Sequence, residues 1–201
     1  MLLEIDPKST ALVMIDAQAW TLGLPLAPRS APELLANASA LASRLRALGG
    51  TVILTRAAFS EGYVDMIRTP VDLELKVPEG GIPDAGLAFA TEMLEAGHDL
   101  VITKRQWSAF YGTELDLQLR RRGVTSVLVA GVMTNFGVES TARDAWQHNY
   151  RTIVVEDACA SLAADMHAFA IEKILPRVAQ VRNALDVLSA LSRPSSPPEA
   201  I

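Results

Sequence analysis

Cysteine is almost missing from this chain: Cys159 is the one thiol among 201 residues. A lone thiol excludes an intrachain disulfide and any metal site built from several cysteines. Histidine is scarce too, and the three present, His98, His148 and His167, lie far apart with no ligand-like spacing. Positive charge is the minority sign, with 18 Lys and Arg against 23 Asp and Glu, a net charge of −5. That balance supplies no basic footprint for nucleic acid or an anionic membrane. No run approaches the roughly 18 uninterrupted apolar residues that a bilayer-crossing helix needs. The stretch Met1 to Asp6 carries acidic residues where a signal peptide would carry Lys or Arg, and Pro7 follows directly. A cytoplasmic location is the resulting expectation.

What is present is an ordinary globular balance, half the residues apolar and a fifth charged. A chain of this length fits one domain and can bury roughly 70% of its unfolded surface. Short β-branched apolar runs alternate with longer stretches of helical period. Ala11 to Ile15, Thr51 to Thr55, Asp99 to Thr103, Ser126 to Ala130, Thr152 to Val155 and Ala179 to Val181 read as six strands. Continuous runs such as Val127-Leu128-Val129-Ala130 suit strands covered on both faces, as in a parallel sheet.

Helical stretches separate the strands. Ala31 to Leu48 stops at the breaker pair Gly49-Gly50, and Thr113 to Arg122 has Thr113 as candidate N-cap and Gly123 as its end. Thr134 to His148, Asp165 to Leu175 and Ala184 to Leu191 complete the set. The alternation predicts a single-domain, three-layer α/β/α fold with a mainly parallel six-stranded sheet and right-handed crossovers. The domain is expected to span 1–192, with a Pro-rich, disordered tail at 193–201. The excursion 60–86 is rich in Pro and Gly and reads as a surface insertion or lid.

In such folds ligands bind beyond the carboxyl ends of the strands. Three segments place chemistry there: Asp16-Ala17-Gln18, Thr103-Lys104, and Gly131 to Val138. Asp16, directly after a buried strand, suits a general acid or base because desolvation raises a carboxyl pKa; it equally suits a plain turn cap. Lys104 is either a charge partner for Asp16 or an exposed charge closing an edge strand. The Gly131–Val138 segment opens a helix whose first N–H groups could hold an oxyanion or carboxylate. The bland alternative is a simple connection capped by Thr134. Gly137, early in that helix, costs roughly 1 kcal/mol against Ala, which asks for a packing or access reason.

Together these pieces resemble the isochorismatase-like hydrolases, which include nicotinamidases, carbamoylases and isochorismatases. The resemblance runs through Ala11-Leu12-Val13-Met14-Ile15-Asp16-Ala17-Gln18, then Lys104 with Ser108-Ala109-Phe110 and Thr113. It continues through Val129-Ala130-Gly131-Val132, Thr134, Val138, Thr141-Ala142 and Asp144-Ala145 to Glu156-Asp157-Ala158-Cys159-Ala160-Ser161. It implies that Asp16 and Lys104 are two members of an Asp-Lys-Cys triad whose cysteine position falls on Gly137. Cys159 lies after a different strand and reads as a buried, inert thiol. Without the sulfur, the acyl-enzyme route is closed. The implied alternative is non-covalent: Asp16 acts as acid/base, Lys104 holds it, and Gly137 makes room where the sulfur would stand.

The resemblance also implies a cis peptide before Met133, which with Gly137 forms the nucleophile and oxyanion region. It implies a homo-oligomer, dimer or tetramer, acting on a small molecule. The nicotinamidase metal motif is missing, so neither metal nor cofactor is implied. Expected substrate-facing residues are Gln18, Trp20, Phe59, Trp107 and Thr134, with Phe110 assigned to the core and Trp146 to helix or subunit packing. Arg56 and Arg105 could pair with a substrate carboxylate or serve as solvated charge. The leading expectation is thus a hydrolase acting on a small acidic metabolite. A silent binding or regulatory protein with the same pocket is the alternative. An amidase using Ser108 or Thr134 ranks last, because neither hydroxyl has a base visible in the sequence.

Overall fold

The computed structural model describes residues 3–74, 81–94 and 99–192. The expected tail, His98 and the stretch 75–80 of the 60–86 excursion lie outside the described residues. Six strands form one parallel sheet: β1 (Thr10–Ile15), β2 (Thr51–Ala57), β3 (Leu100–Lys104), β4 (Ser126–Val132), β5 (Arg151–Ala160) and β6 (Gln180–Arg182). Their order across the sheet is β3-β2-β1-β4-β5-β6. Every residue of β1 and β4 is buried, which is why these segments are apolar without alternation.

Among the described residues seven α-helices accompany the sheet: α1 (Ala19–Leu22), α2 (Ala31–Ala47), α3 (Asp84–Leu87), α4 (Leu115–Arg121), α5 (Glu139–Gln147), α6 (Ala164–Phe169) and α7 (Ala184–Leu191). α2 starts where Ser30 and Glu33 satisfy each other's backbone N–H groups, with Pro32 in the first turn, and ends at Gly49 with φ +79°. Its buried face, Leu34, Leu35, Ala38, Leu41, Ala42 and Leu45, packs on β1, β2 and β5 and beside α7. Among the described residues no helix is long and apolar enough to cross a membrane.

The strand order moves outward from β1 through β2 to β3, then restarts at β4 on the other side. Right-handed crossovers running in opposite directions put their helices on opposite faces, and a crevice opens between β1 and β4. This switch point lies between the ends of β1 and β4, where Asp16 and the segment after Val132 emerge.

Several boundaries differ from the sequence expectation. The helix expected from Thr113 begins at Leu115; the Thr113 hydroxyl accepts the Leu115 N–H at 3.1 Å and donates to the Ala109 carbonyl at 2.6 Å. Thr134 to His148 is two pieces, a wide turn Thr134–Val138, in which the Met133 carbonyl accepts from Phe136 and Val138, followed by α5. The expected helix Asp165 to Leu175 also widens after Phe169 and tightens at Leu175–Arg177, where Pro176 lacks the N–H that an α-helix needs. β5 runs five residues past Val155, to Ala160. The register shifts between Val129 and Gly131, which pair with Val154 and Cys159, so the acidic Glu156-Asp157 pair bulges out of an otherwise apolar strand.

Candidate active site

Asp16 leaves β1 in the left-handed region, φ +48°, a conformation Asp tolerates better than most residues. The turn points its carboxyl across the sheet toward the ends of β2 and β3. Thr55, on β2, accepts the Asp16 N–H at 3.2 Å and donates to Oδ1 at 3.0 Å, while Lys104 Nζ donates to Oδ2 at 2.6 Å. The same ammonium reaches the Gln106 carbonyl at 3.1 Å. Asp16 is 7% exposed and Lys104 2%. β3 is indeed an edge strand, but Lys104 at its end is buried and paired, so the exposed-charge alternative for it is overturned. The turn-cap alternative for Asp16 fails as well, since both carboxylate oxygens face other strands.

Burial pushes the Asp16 carboxyl above its ordinary value, and Lys104, Thr55 and the Ala57 backbone pull against that shift without cancelling it. The ionised form is thus disfavoured by desolvation yet supported by one cation and one hydroxyl, as suits a group that takes up and returns a proton.

Gly137 faces the same corner. A Cβ built on it would stand 2.8 Å from Ile15 Cγ2 and 3.5 Å from the Trp107 and Val132 carbonyl oxygens. A side chain at Gly137 would thus press on the methyl of Ile15, the residue preceding Asp16, and fits only if Ile15 shifts. Gly131 shows a related constraint, with φ +114° and a hypothetical Cβ 2.1 Å from the Ile15 carbonyl oxygen, so the backbone of β4 approaches β1 too closely for any side chain. The Val132–Met133 peptide is cis, and Met133 is buried.

The expected substrate-facing residues separate. Trp107 is 55% exposed and pairs with Phe136, ring centroids 4.9 Å apart, beside Gly137. Gln18 is fully buried; its amide accepts the Ala57 N–H at 2.8 Å and donates to the Ala57 and Leu87 carbonyls, so it ties α1 to β2 and α3 rather than facing a ligand. Trp20 packs against Gly86 in α3, and Phe59 pairs with Tyr63 at 5.3 Å. Thr134 is fully buried, its hydroxyl 2.8 Å from His167 Nδ1. Arg105 binds Asp65 of the 60–86 excursion at 2.9 Å, so its charge is already paired, while Arg56 donates to Thr103 at 3.2 Å and keeps a buried Nε without a hydrogen-bond partner among the described residues. Phe110 is buried and Trp146 is 55% exposed, while the Cys159 thiol is buried and pushed up to about 12 by that burial.

Two groups escaped sequence reasoning. Thr55 looked like the end of a strand, and nothing local marks it as a carboxylate partner. His167 supplies the base that Thr134 was thought to lack, and behind it Glu156 approaches at 3.6 Å. The hydroxyl is nevertheless inaccessible, which removes Thr134 as a nucleophile. Ser108 donates to Asp144 and accepts the Phe110 N–H, holding the loop after Lys104 against α5. Among the described residues no group of three His, Cys, Asp or Glu side chains is placed to hold a metal ion.

Comparison with known proteins supplies context for this geometry. The isochorismatase domain profile matches residues 10–186. An uncharacterized isochorismatase family protein, YecD, of Escherichia coli O157:H7 is 40% identical over 190 residues, covering 94% of this chain and 100% of the relative. Maleamate amidohydrolase of Pseudomonas putida is 33% identical over 169 residues, covering 80% and 76%. The structure of an isochorismatase family protein from Burkholderia thailandensis superposes with a TM-score of 0.90 at 37% identity, over 96% of this chain and 100% of that one.

Proposed function

The chain belongs to the isochorismatase family of hydrolases, and from that premise we propose that it cleaves a small acidic metabolite without a covalent thioester intermediate. The observation that carries the reading is the buried contact of Lys104 Nζ with Asp16 Oδ2 at 2.6 Å, next to a glycine where the family resemblance puts the nucleophilic cysteine. Asp16 is the acid/base: it delivers a proton to the scissile group and recovers one from the attacking water. Lys104 holds the carboxyl in place and moderates the rise in its pKa. The N–H groups at the start of the Thr134–Val138 turn, ahead of Phe136, have no earlier helical turn to accept them and favour the carboxylate of an acidic substrate. Trp107 and Phe136 supply an apolar wall at the mouth of the corner.

Glycine offers no sulfur for acylation, so an amide substrate would need direct attack by water. A vinyl ether is the better match: Asp16 protonates the terminal carbon, water adds to the resulting oxocarbenium carbon and returns a proton to Asp16, and the hemiketal collapses to a carbonyl compound as its C–O bond breaks and the alcohol leaves.

The test is a hydrolysis screen over vinyl ethers, amides and esters of small acids, with wild type, Asp16→Asn and Gly137→Cys, read by product formation and by intact mass for acyl-enzyme. Turnover of a vinyl ether by wild type, no mass adduct, and loss in Asp16→Asn are expected. An adduct on the wild-type chain, or undiminished turnover in folded Asp16→Asn, overturns the proposal.

A further inference from the structure

We infer that His167 is a positioning residue for the turn Thr134–Val138, acting through the Thr134 hydroxyl. Its catalytic consequence rests on the hydrolytic reading above; the geometry does not. His167 lies on α6, 4% exposed, with Nδ1 2.8 Å from Thr134 Oγ1 and Nε2 3.6 Å from Glu156 Oε2. Glu156 is in turn held by Arg29, whose Nη2 donates to Oε1 at 3.0 Å and whose Nη1 donates to the Glu156 carbonyl at 3.4 Å. A polar chain thus runs from the partly exposed Arg29 and Glu156 through the buried His167 to the first residue of the turn that carries Gly137.

The next residue of the turn is anchored on the same side. Ser161 donates to Asn135 Oδ1, and Ser161 exchanges two backbone hydrogen bonds with Ala27 at 2.8 Å each. The ties come from α6 and from the residue following β5, so both fix the start of the turn that carries Gly137 from its β5 and α6 side.

The donors and acceptors assign the protons. An ionised Glu156 can only accept, so a neutral His167 carries its proton on Nε2 and leaves Nδ1 to accept from Thr134. Protonating the ring puts a second proton on Nδ1, so the Thr134 hydroxyl must accept where it had donated and turn its own proton toward another acceptor within a fully buried spot. The hydrogen bond to the turn's first side chain then reverses direction, and the displaced hydroxyl proton shifts the turn as it seeks a new acceptor. The charged groups facing the ring are Glu156 from β5 and Arg29 from the segment before α2; Asp165 on its own helix is exposed, and the turn contributes no charge. Burial and Arg29 hold the imidazole below its ordinary value, with Glu156 opposing, so the accepting form prevails near neutral pH.

The experiment is an NMR titration of the labelled full chain from about pH 8 to about pH 5. The His167 ring is expected as the neutral Nε2–H tautomer, and the amide signals of Asn135, Phe136 and Gly137 should move with the ring's midpoint. Thr134→Ser keeps that co-titration and Thr134→Val loses it. His167→Asn, which can still accept the hydroxyl but does not titrate, removes the pH dependence of the turn. Turn amides that ignore the His167 midpoint in wild type, or that still follow it in Thr134→Val, overturn the inference. Should Thr134→Val fail to fold, turn amides titrating at that midpoint in His167→Asn do the same. Where the hydrolysis screen yields a substrate, kcat falls at low pH with this midpoint in wild type and not in His167→Asn. An empty screen counts against the hydrolytic reading alone, because the titration needs no substrate.

Discussion

Replacing Asp16 by Asn is the most informative perturbation, because it separates a buried ion pair from two neighbouring polar groups. At 2.6 Å the two charges attract by about 6 kcal/mol at an effective dielectric near 20. Desolvating each ion costs several kcal/mol, so the intact pair contributes little net stability. Asp16→Asn is different: it leaves the Lys104 ammonium, 2% exposed, facing a neutral amide and the Gln106 carbonyl. Breaking a buried pair from one side costs about 3–5 kcal/mol. For a chain of this size that lowers Tm by roughly 10 °C. The assay is a double-mutant cycle by urea denaturation with Asp16→Asn, Lys104→Met and the double variant. The double variant should recover most of the loss, giving a coupling energy of at least about 2 kcal/mol. Single variants that each cost under about 1 kcal/mol and add without coupling would refute the pairing and the mechanism built on it.

Other outcomes follow from the same geometry. The Asp16 carboxyl, raised by burial, should titrate by carbon-13 NMR above the ordinary carboxylate value near 3.9, and Lys104→Met should move it higher still by removing the opposing charge. Because its folded value lies above the unfolded one, the stability this group contributes is full at acid pH and is lost as pH rises through the folded value, visible as a falling Tm. Gly137→Cys should destabilise by about 1–3 kcal/mol through overlap with Ile15 Cγ2, and Ile15→Ala in the same chain should relieve part of it, read by thermal denaturation. Gly131→Ala, with its Cβ driven against the Ile15 backbone at positive φ, should cost more than about 3 kcal/mol or abolish soluble expression. Cys159 should resist Ellman's reagent in the native protein and react once unfolded; a fast native reaction would show that the thiol is not buried.

The residues that were easy to place share a property: their neighbours along the chain dictate their environment. Asp16, Lys104 and Gly131 each sit at the end of an apolar run, and a parallel strand delivers its carboxyl end to one edge of the sheet whatever the rest of the fold does. Side-chain direction was harder to read, because nearness in sequence to Asp16 says nothing about which way a side chain turns after the strand ends. Gln18 sits two residues past the carboxylate yet turns to backbone groups of Ala57 and Leu87. His167 was passed over because a lone histidine in a helical stretch usually packs without a role, and its partners Thr134, Glu156 and Arg29 are scattered over three other segments.

Local sequence by itself determined the strands, their parallel layered arrangement and the family, because these depend on apolar period, breakers and motif order, all of which are properties of short stretches. Only the tertiary structure decided that the ammonium of an edge strand is buried against a carboxyl 88 residues earlier, that a methyl of Ile15 stands where a side chain on Gly137 would go, and that an imidazole holds the turn beside them. Those facts are distances between segments far apart in the chain, and packing fixes them only when the whole sheet has closed around its crevice.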